Sequence, residues 1–189
     1  MLEGVVTISK ENLSLHGLSS KIQETYSTPD IENEWKFQWQ GKMLFAHGTC
    51  TNHSIGVLIL FNNELHFEIK SEYIDTQGRY ILVKAIIWDS PFLLFNLYAP
   101  AKSREQCKFF DDVKSALDEL DLDPDCEIII SGNFNSHLNP TLDNLGGRNE
   151  TKPSVQRIKE LMMTYDLLDI WLIHHPQKKL YLDSEKALY

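Results

Sequence analysis

Residues 129–135 read Ile-Ile-Ser-Gly-Asn-Phe-Asn, and the tripeptide Tyr-Ala-Pro stands upstream at 98–100. The first run predicts a short buried strand from Glu127 to Ser131 that enters a glycine turn. Such a turn presents two carboxamides, Asn133 and Asn135, at the carboxyl edge of a sheet. On pattern alone Gly-Asn-x-Asn also fits a plain β-turn, because Gly and Asn both favour turn conformations. Its position straight after an apolar strand is what makes it worth following.

Strand-like runs precede it. Lys42 to Ala46, Ile55 to Phe61 and Leu65 to Ile69 are three of them, with Gly56 oddly placed inside the second. Arg79 to Trp88 and Pro91 to Leu97 are rich in Ile, Val, Leu and Phe, and Asp89-Ser90 between them predicts a tight turn. Val5 to Ile8 and Leu167 to Leu172 read as further strands. Helices alternate with these. Thr28-Pro29-Asp30 is a helix-start signal for a short helix carrying Ile31, Trp35 and Trp39. Ser103-Arg104-Glu105-Gln106 reads as a capping box, in which Gln106 reaches back to the start of the helix. That helix carries Phe109, Val113, Ala116, Leu117 and Leu120 on one face. A second amphipathic helix opens near Pro153 with Val155, Ile158, Leu161, Met162 and Tyr165. One-faced helices beside antiparallel-looking strands predict an α/β (α+β) four-layer sandwich, two sheets face to face with helices outside.

The 189 residues suffice for one sizeable core and one domain, and no linker divides them. Hydrophobic residues make up 42% and charged residues 24%, an ordinary globular balance. The net charge of −9 argues mildly against tight DNA binding through a broad basic face. It leaves room for an acidic nuclease whose metal supplies the positive charge. Cys50, Cys107 and Cys126 are far apart, which predicts reduced, intracellular thiols rather than disulfides or zinc. No apolar run approaches a membrane span, and no secretion signal opens the chain.

A few side chains have chemistry worth weighing. The Glu24 carboxylate suits a hard cation such as Mg²⁺, although a single Glu is far more often a solvated surface group. The Tyr98 hydroxyl can address a phosphate oxygen, yet a half-buried tyrosine at a strand end is the commoner case. His137 suits phosphate contact or proton transfer, and Arg148 suits phosphate contact. Both are loop positions, where such residues usually serve only solubility.

Read in order, the motifs resemble a known family. Gln23-Glu24-Thr25, Trp35 with Trp39, His47-Gly48-Thr49 and Gly56-Val57-Leu58-Ile59-Leu60 come first. Asp75-Thr76-Gln77-Gly78-Arg79-Tyr80, Asn96-Leu97-Tyr98-Ala99-Pro100 and Ser131-Gly132-Asn133-Phe134-Asn135 follow. Leu142-Asp143, Gly146-Gly147, Leu168-Asp169-Ile170-Trp171 and His175-Pro176 complete the series. Together they resemble the endonuclease/exonuclease/phosphatase superfamily, and most of all the endonuclease domain of non-LTR retrotransposons. The resemblance covers residues 22–182 of a single domain spanning 1–189, with 1–21 poorly matched.

The resemblance implies a Mg²⁺-dependent DNA phosphodiesterase, with Mn²⁺ as a substitute metal, within a longer reverse-transcriptase polyprotein. It implies that Glu24 binds the metal, that Tyr98 contacts the scissile phosphate and that Asn135 helps hold the phosphate or water. The family's Gly-Asp-Phe-Asn motif uses its Asp to orient and deprotonate the attacking water, and here that position is Asn133. An amide cannot accept a proton near neutral pH, and general-base catalysis contributes about 10²–10⁴-fold. The family's carboxyl-terminal Asp and Ser-Asp-His have no match before Tyr189, and its helix ahead of Gln-Glu-Thr is not evident. The expectation is therefore a truncated, partly degenerate relative, incomplete at both ends and weak or inactive. A non-catalytic remnant or binding module is the alternative. A phosphatase acting on a small phosphorylated substrate is a further one.

Overall fold

The computed structural model describes residues 5–9, 19–23, 25, 27–30, 32–48, 56–136, 138 and 152–174. These form strands β1 (Val5–Ser9) and β2 (Ser19–Gln23), helix α1 (Glu32–Gln38), and strands β3 (Met43–His47) and β4 (Gly56–Phe61). Strands β5 (Phe67–Ile74), β6 (Tyr80–Ile87) and β7 (Ser90–Tyr98) follow, then helix α2 (Ser103–Asp118) and strand β8 (Glu127–Asn133). Helix α3 (Pro153–Thr164), the short strand β9 (Leu168–Asp169) and helix α4 (Ile170–His174) close the series.

The strands divide into a larger sheet ordered β5-β6-β7-β8-β1-β9 and a smaller one ordered β2-β4-β3. Alternation along β6 explains why they stack. Ile81, Val83, Ala85 and Ile87 point to the small sheet, where they meet Leu44, Ala46, Val57, Ile59 and Phe61. Tyr80 and Leu82 point the other way, toward Phe109, Val113 and Leu117 of α2 and Ile158 and Leu161 of α3. A strand buried on both faces needs an almost unbroken apolar run, which is what Arg79 to Trp88 supplies. On the outer face of the small sheet, Trp35 and Trp39 cover Met43, Phe45, Leu58 and Leu60. Helix, sheet, sheet and helices make the four layers expected. Among the described residues no helix is long and apolar enough to cross a membrane.

Several local expectations are corrected. The β6–β7 hairpin turns on Trp88 and Asp89, at φ 46° and 66°, rather than on Asp89-Ser90. Two left-handed residues in succession make the turn whose twist suits a two-residue hairpin. The indole of Trp88 made it look like strand, but it is largely exposed. Strand β5 runs from Phe67 to Ile74; the predicted alternation holds, with Leu65, Phe67 and Ile69 packed toward the small sheet, and a bulge between Ile69 and Ser71 follows it. Residues 29 and 30 form a turn, and α1 starts only at Glu32. The strand predicted from Leu167 to Leu172 shrinks to Leu168–Asp169. There the Asp169 carboxylate accepts the Leu172 N–H at 3.0 Å and caps α4.

Between β7 and β8 the pairing is parallel, which α2 makes possible as the crossover. Gly132 holds this ladder together at its far end. Its φ is 140°, and a Cβ there would overlap the carbonyl oxygen of Leu97. No side chain fits. Gly132→Ala is expected to cost about 3 kcal/mol or more of stability. Urea denaturation followed by tryptophan fluorescence will measure it, and a near-neutral result would contradict this packing.

Candidate functional site

Parallel register places Asn96 beside Ser131, Leu97 beside Gly132 and Tyr98 beside Asn133. Phe92, Leu94 and Ile129 face the small sheet, so the alternation puts Asn96, Tyr98, Ser131 and Asn133 on that same face. Apolar partners fill the slot between the sheets, and polar side chains take over at its carboxyl end. Asn96 is wholly buried, and its Nδ2 donates to the Leu58 carbonyl of the small sheet at 3.1 Å. Tyr98 N–H donates to the Arg79 carbonyl at 2.7 Å, and Ala99 N–H to the Asn133 carbonyl at 2.8 Å. The Arg79 guanidinium lies 5.7 Å from the Tyr98 ring centre. Burial pulls the Arg79 pKa below its ordinary value, but a guanidinium stays charged in any protein setting.

The turn after β8 is fixed by hydrogen bonds. Asn133 Oδ1 accepts the Asn135 N–H at 2.8 Å, an Asx turn. Asn135 sits at φ 48°, a left-handed conformation that Asn tolerates better than most residues. Its Nδ2 donates to the Ala99 carbonyl at 2.7 Å. Phe134 is buried and stacks on Phe110 of α2 at 6.1 Å. Gln106 is wholly buried, and its Nε2 donates to the carbonyls of Pro100 and Asn135, both at 2.8 Å. The capping-box expectation is thus overturned. Lys102 is the residue before α2, with no side-chain cap bond, and Gln106 instead ties the Tyr-Ala-Pro segment to the asparagine turn.

The small sheet closes the other side, with β2 facing β7 and β8. Gln23 pairs with Val57, and Thr25 N–H donates to the Gly56 carbonyl at 3.2 Å. Gly56 has φ 146°, and a Cβ there would strike the Thr25 hydroxyl, which explains the glycine inside that apolar run. A chain of bonds follows. Thr25 Oγ1 meets Ser27 Oγ at 2.8 Å, Ser27 Oγ meets His47 Nδ1 at 3.0 Å, and His47 Nε2 meets Glu32 Oε2 at 3.3 Å. Gly78 backs onto the His47 carbonyl, which carries Arg79 to the same edge.

Of the residues singled out from sequence, the structure brings together Tyr98, Asn133 and Asn135. Glu24, His137 and Arg148 lie outside the described residues. Sequence reading missed Arg79, Gln106, Ser131 and the Ser27–His47 pair. Arg79 stood inside a quoted motif but was read only as the lead into a strand. Nothing in the spelling of Gln106 distinguishes a bridging amide from a capping one. Among the described residues no group of three His, Cys, Asp or Glu side chains could hold a metal. Amides, hydroxyls, a phenol and a guanidinium line this edge. Mg²⁺ prefers carboxylate oxygens, and Glu24, the carboxylate that the resemblance assigns to it, lies outside the described residues.

No family model matches the chain. A transposon TX1 protein of 149 kDa from Xenopus laevis is 30% identical over 158 residues, which are 84% of this chain and 12% of that protein. TDP2 from C. elegans superposes with a TM-score of 0.45 at 14% identity, over 63% of this chain and 38% of that one. A humanized D. rerio TDP2 gives 0.48 at 13% identity, over 68% and 53%. The sandwich with its Tyr-Ala-Pro strand end beside a Gly-Asn-Phe-Asn turn is consistent with the endonuclease/exonuclease/phosphatase superfamily that the motifs resemble. The chain is a homologue of the Xenopus laevis transposon protein, and it spans about an eighth of that protein's length.

Gln106→Leu removes the donor shared by two carbonyls inside the fold. It is expected to cost about 2–4 kcal/mol, since each orphaned group costs about 1–3 kcal/mol. Thermal unfolding monitored by circular dichroism checks this. Unchanged stability would mean that the bridge is not what joins the two segments.

Proposed function

We propose that this chain is a phosphodiesterase-type domain of a retrotransposon polyprotein that faces DNA phosphates but hydrolyses them poorly or not at all. The observation that carries the reading is the placement of Asn133. It stands beside Tyr98 at the carboxyl edge, where the family has its Asp, and its one carbonyl oxygen is already taken by the Asn135 N–H. An amide at this place cannot receive a proton from water near neutral pH. Tyr98 and Arg79 remain in place, which supports retained contact with a phosphate. Homology to a transposon protein supports the polyprotein context.

The test is nicking of supercoiled DNA in Mg²⁺. The chain as it stands is expected to nick at or near background. Asn133→Asp keeps an acceptor for Asn135 and supplies a carboxylate, and it is expected to raise the rate by about 10²-fold or more. Brisk Mg²⁺-dependent nicking by the unmodified chain, abolished in Glu24→Ala and not improved in Asn133→Asp, would overturn the proposal.

A further inference from the structure

Resting on the reading above, we propose that Asn133 has turned this edge into a seat for a phosphate group that needs no divalent metal. The Asn135 N–H requires an acceptor, so the Asn133 oxygen must point to it, as the 2.8 Å bond records. The Asn133 Nδ2 therefore points elsewhere. Among the described residues it has no partner, and Asn133 lies at the buried rim of the edge, 8% exposed. An Asp in this position would place its second oxygen there, an acceptor carrying negative charge. Exchanging one oxygen for an NH₂ removes the negative charge and reverses the hydrogen-bonding sense of what the site presents.

Two neighbours agree with that reversal. Ser131 lies on the same face, two residues deeper along β8. It is 4% exposed, and its Oγ has no hydrogen-bond partner among the described residues. Buried hydroxyls are rarely left this way unless a water or ligand completes them. Arg79 brings a full positive charge across the Tyr98 ring. Its guanidinium donates to the Tyr98 carbonyl at 3.5 Å and makes no ion pair among the described residues. Two carboxylates lie within electrostatic reach: Glu105, which pairs with Lys102 at 3.6 Å, and Asp75, which spends an oxygen on the Arg79 backbone N–H at 2.8 Å. The edge thus offers an N–H₂, an O–H and a guanidinium. A tetrahedral oxyanion answers all three with acceptors, and charge-assisted bonds of this type are the strong ones.

The chemistry is that of a phosphate, carried either by a nucleic-acid chain or by free phosphate. The experiment titrates the whole chain in EDTA with inorganic phosphate, and separately with a short single-stranded oligonucleotide. Binding is followed by calorimetry and by the side-chain NH₂ resonances of Asn133. At least one ligand is expected to bind and to shift those resonances, and the tighter of the two names the source. Asn133→Asp preserves the Asx turn, so it should melt like the parent while binding about 10- to 100-fold more weakly, the worth of a hydrogen bond to a charged group. Ser131→Ala removes a partnerless hydroxyl, so it should fold at least as well and also bind more weakly. Absence of binding in EDTA, or equal affinity in Asn133→Asp, would overturn this inference and leave the poor-hydrolysis reading standing. Brisk nicking by the parent chain would overturn that reading and leave the EDTA result untouched.

Discussion

Tyr98 and Asn133 are partners in the parallel ladder between β7 and β8, and the other placements at the site follow from that pairing. Antiparallel neighbours would send the two residues to opposite ends of the sheet. The parallel arrangement requires a crossover, and α2 provides it while bringing Gln106 and Phe110 under the turn. Gly132 lets the two backbones approach where no Cβ could fit. A glycine, a helix and a pair of strands therefore share one task, which is to hold a phenol and a carboxamide side by side.

The layers of the fold were legible because burial on two faces writes itself into the sequence as long apolar runs. Arg79 to Trp88 and Pro91 to Leu97 could be little else, and α2 and α3 kept a helical period through Phe109, Val113, Leu117, Ile158 and Leu161. Local conformation was harder to read. Trp88 adopts a left-handed turn that its bulk disfavours, Asp169 spends its carboxylate on a helix start, and a bulge past Ile69 interrupts the rest of β5. Each turns on a hydrogen bond or a backbone conformation that the apolar pattern does not record. The candidate site was legible through motifs, which named Tyr98, Asn133 and Asn135. Its supporting parts were not, because a glutamine that bridges two carbonyls 35 residues apart leaves no local trace.

The exchange of Asp for Asn at position 133 is small in volume and large in consequence. The turn survives it, since either side chain offers an oxygen to Asn135. Only the second atom of the head group changes. Folding and chemistry are thus separable at this residue. Selection for a stable turn alone would tolerate the amide, whereas selection for proton abstraction would not.

The buried bond from Asn96 to the Leu58 carbonyl has a mechanical meaning of its own. Two greasy sheets can slip past one another with little penalty, because apolar contact is indifferent to small translations. A single directional link deep in the slot removes that freedom, for any shift strands both groups away from water. It works as a dowel between two boards. The strand that ends at Tyr98 is thereby keyed to the strand that runs alongside Gln23, and whatever the small sheet carries stays in fixed alignment with the amides of the large one.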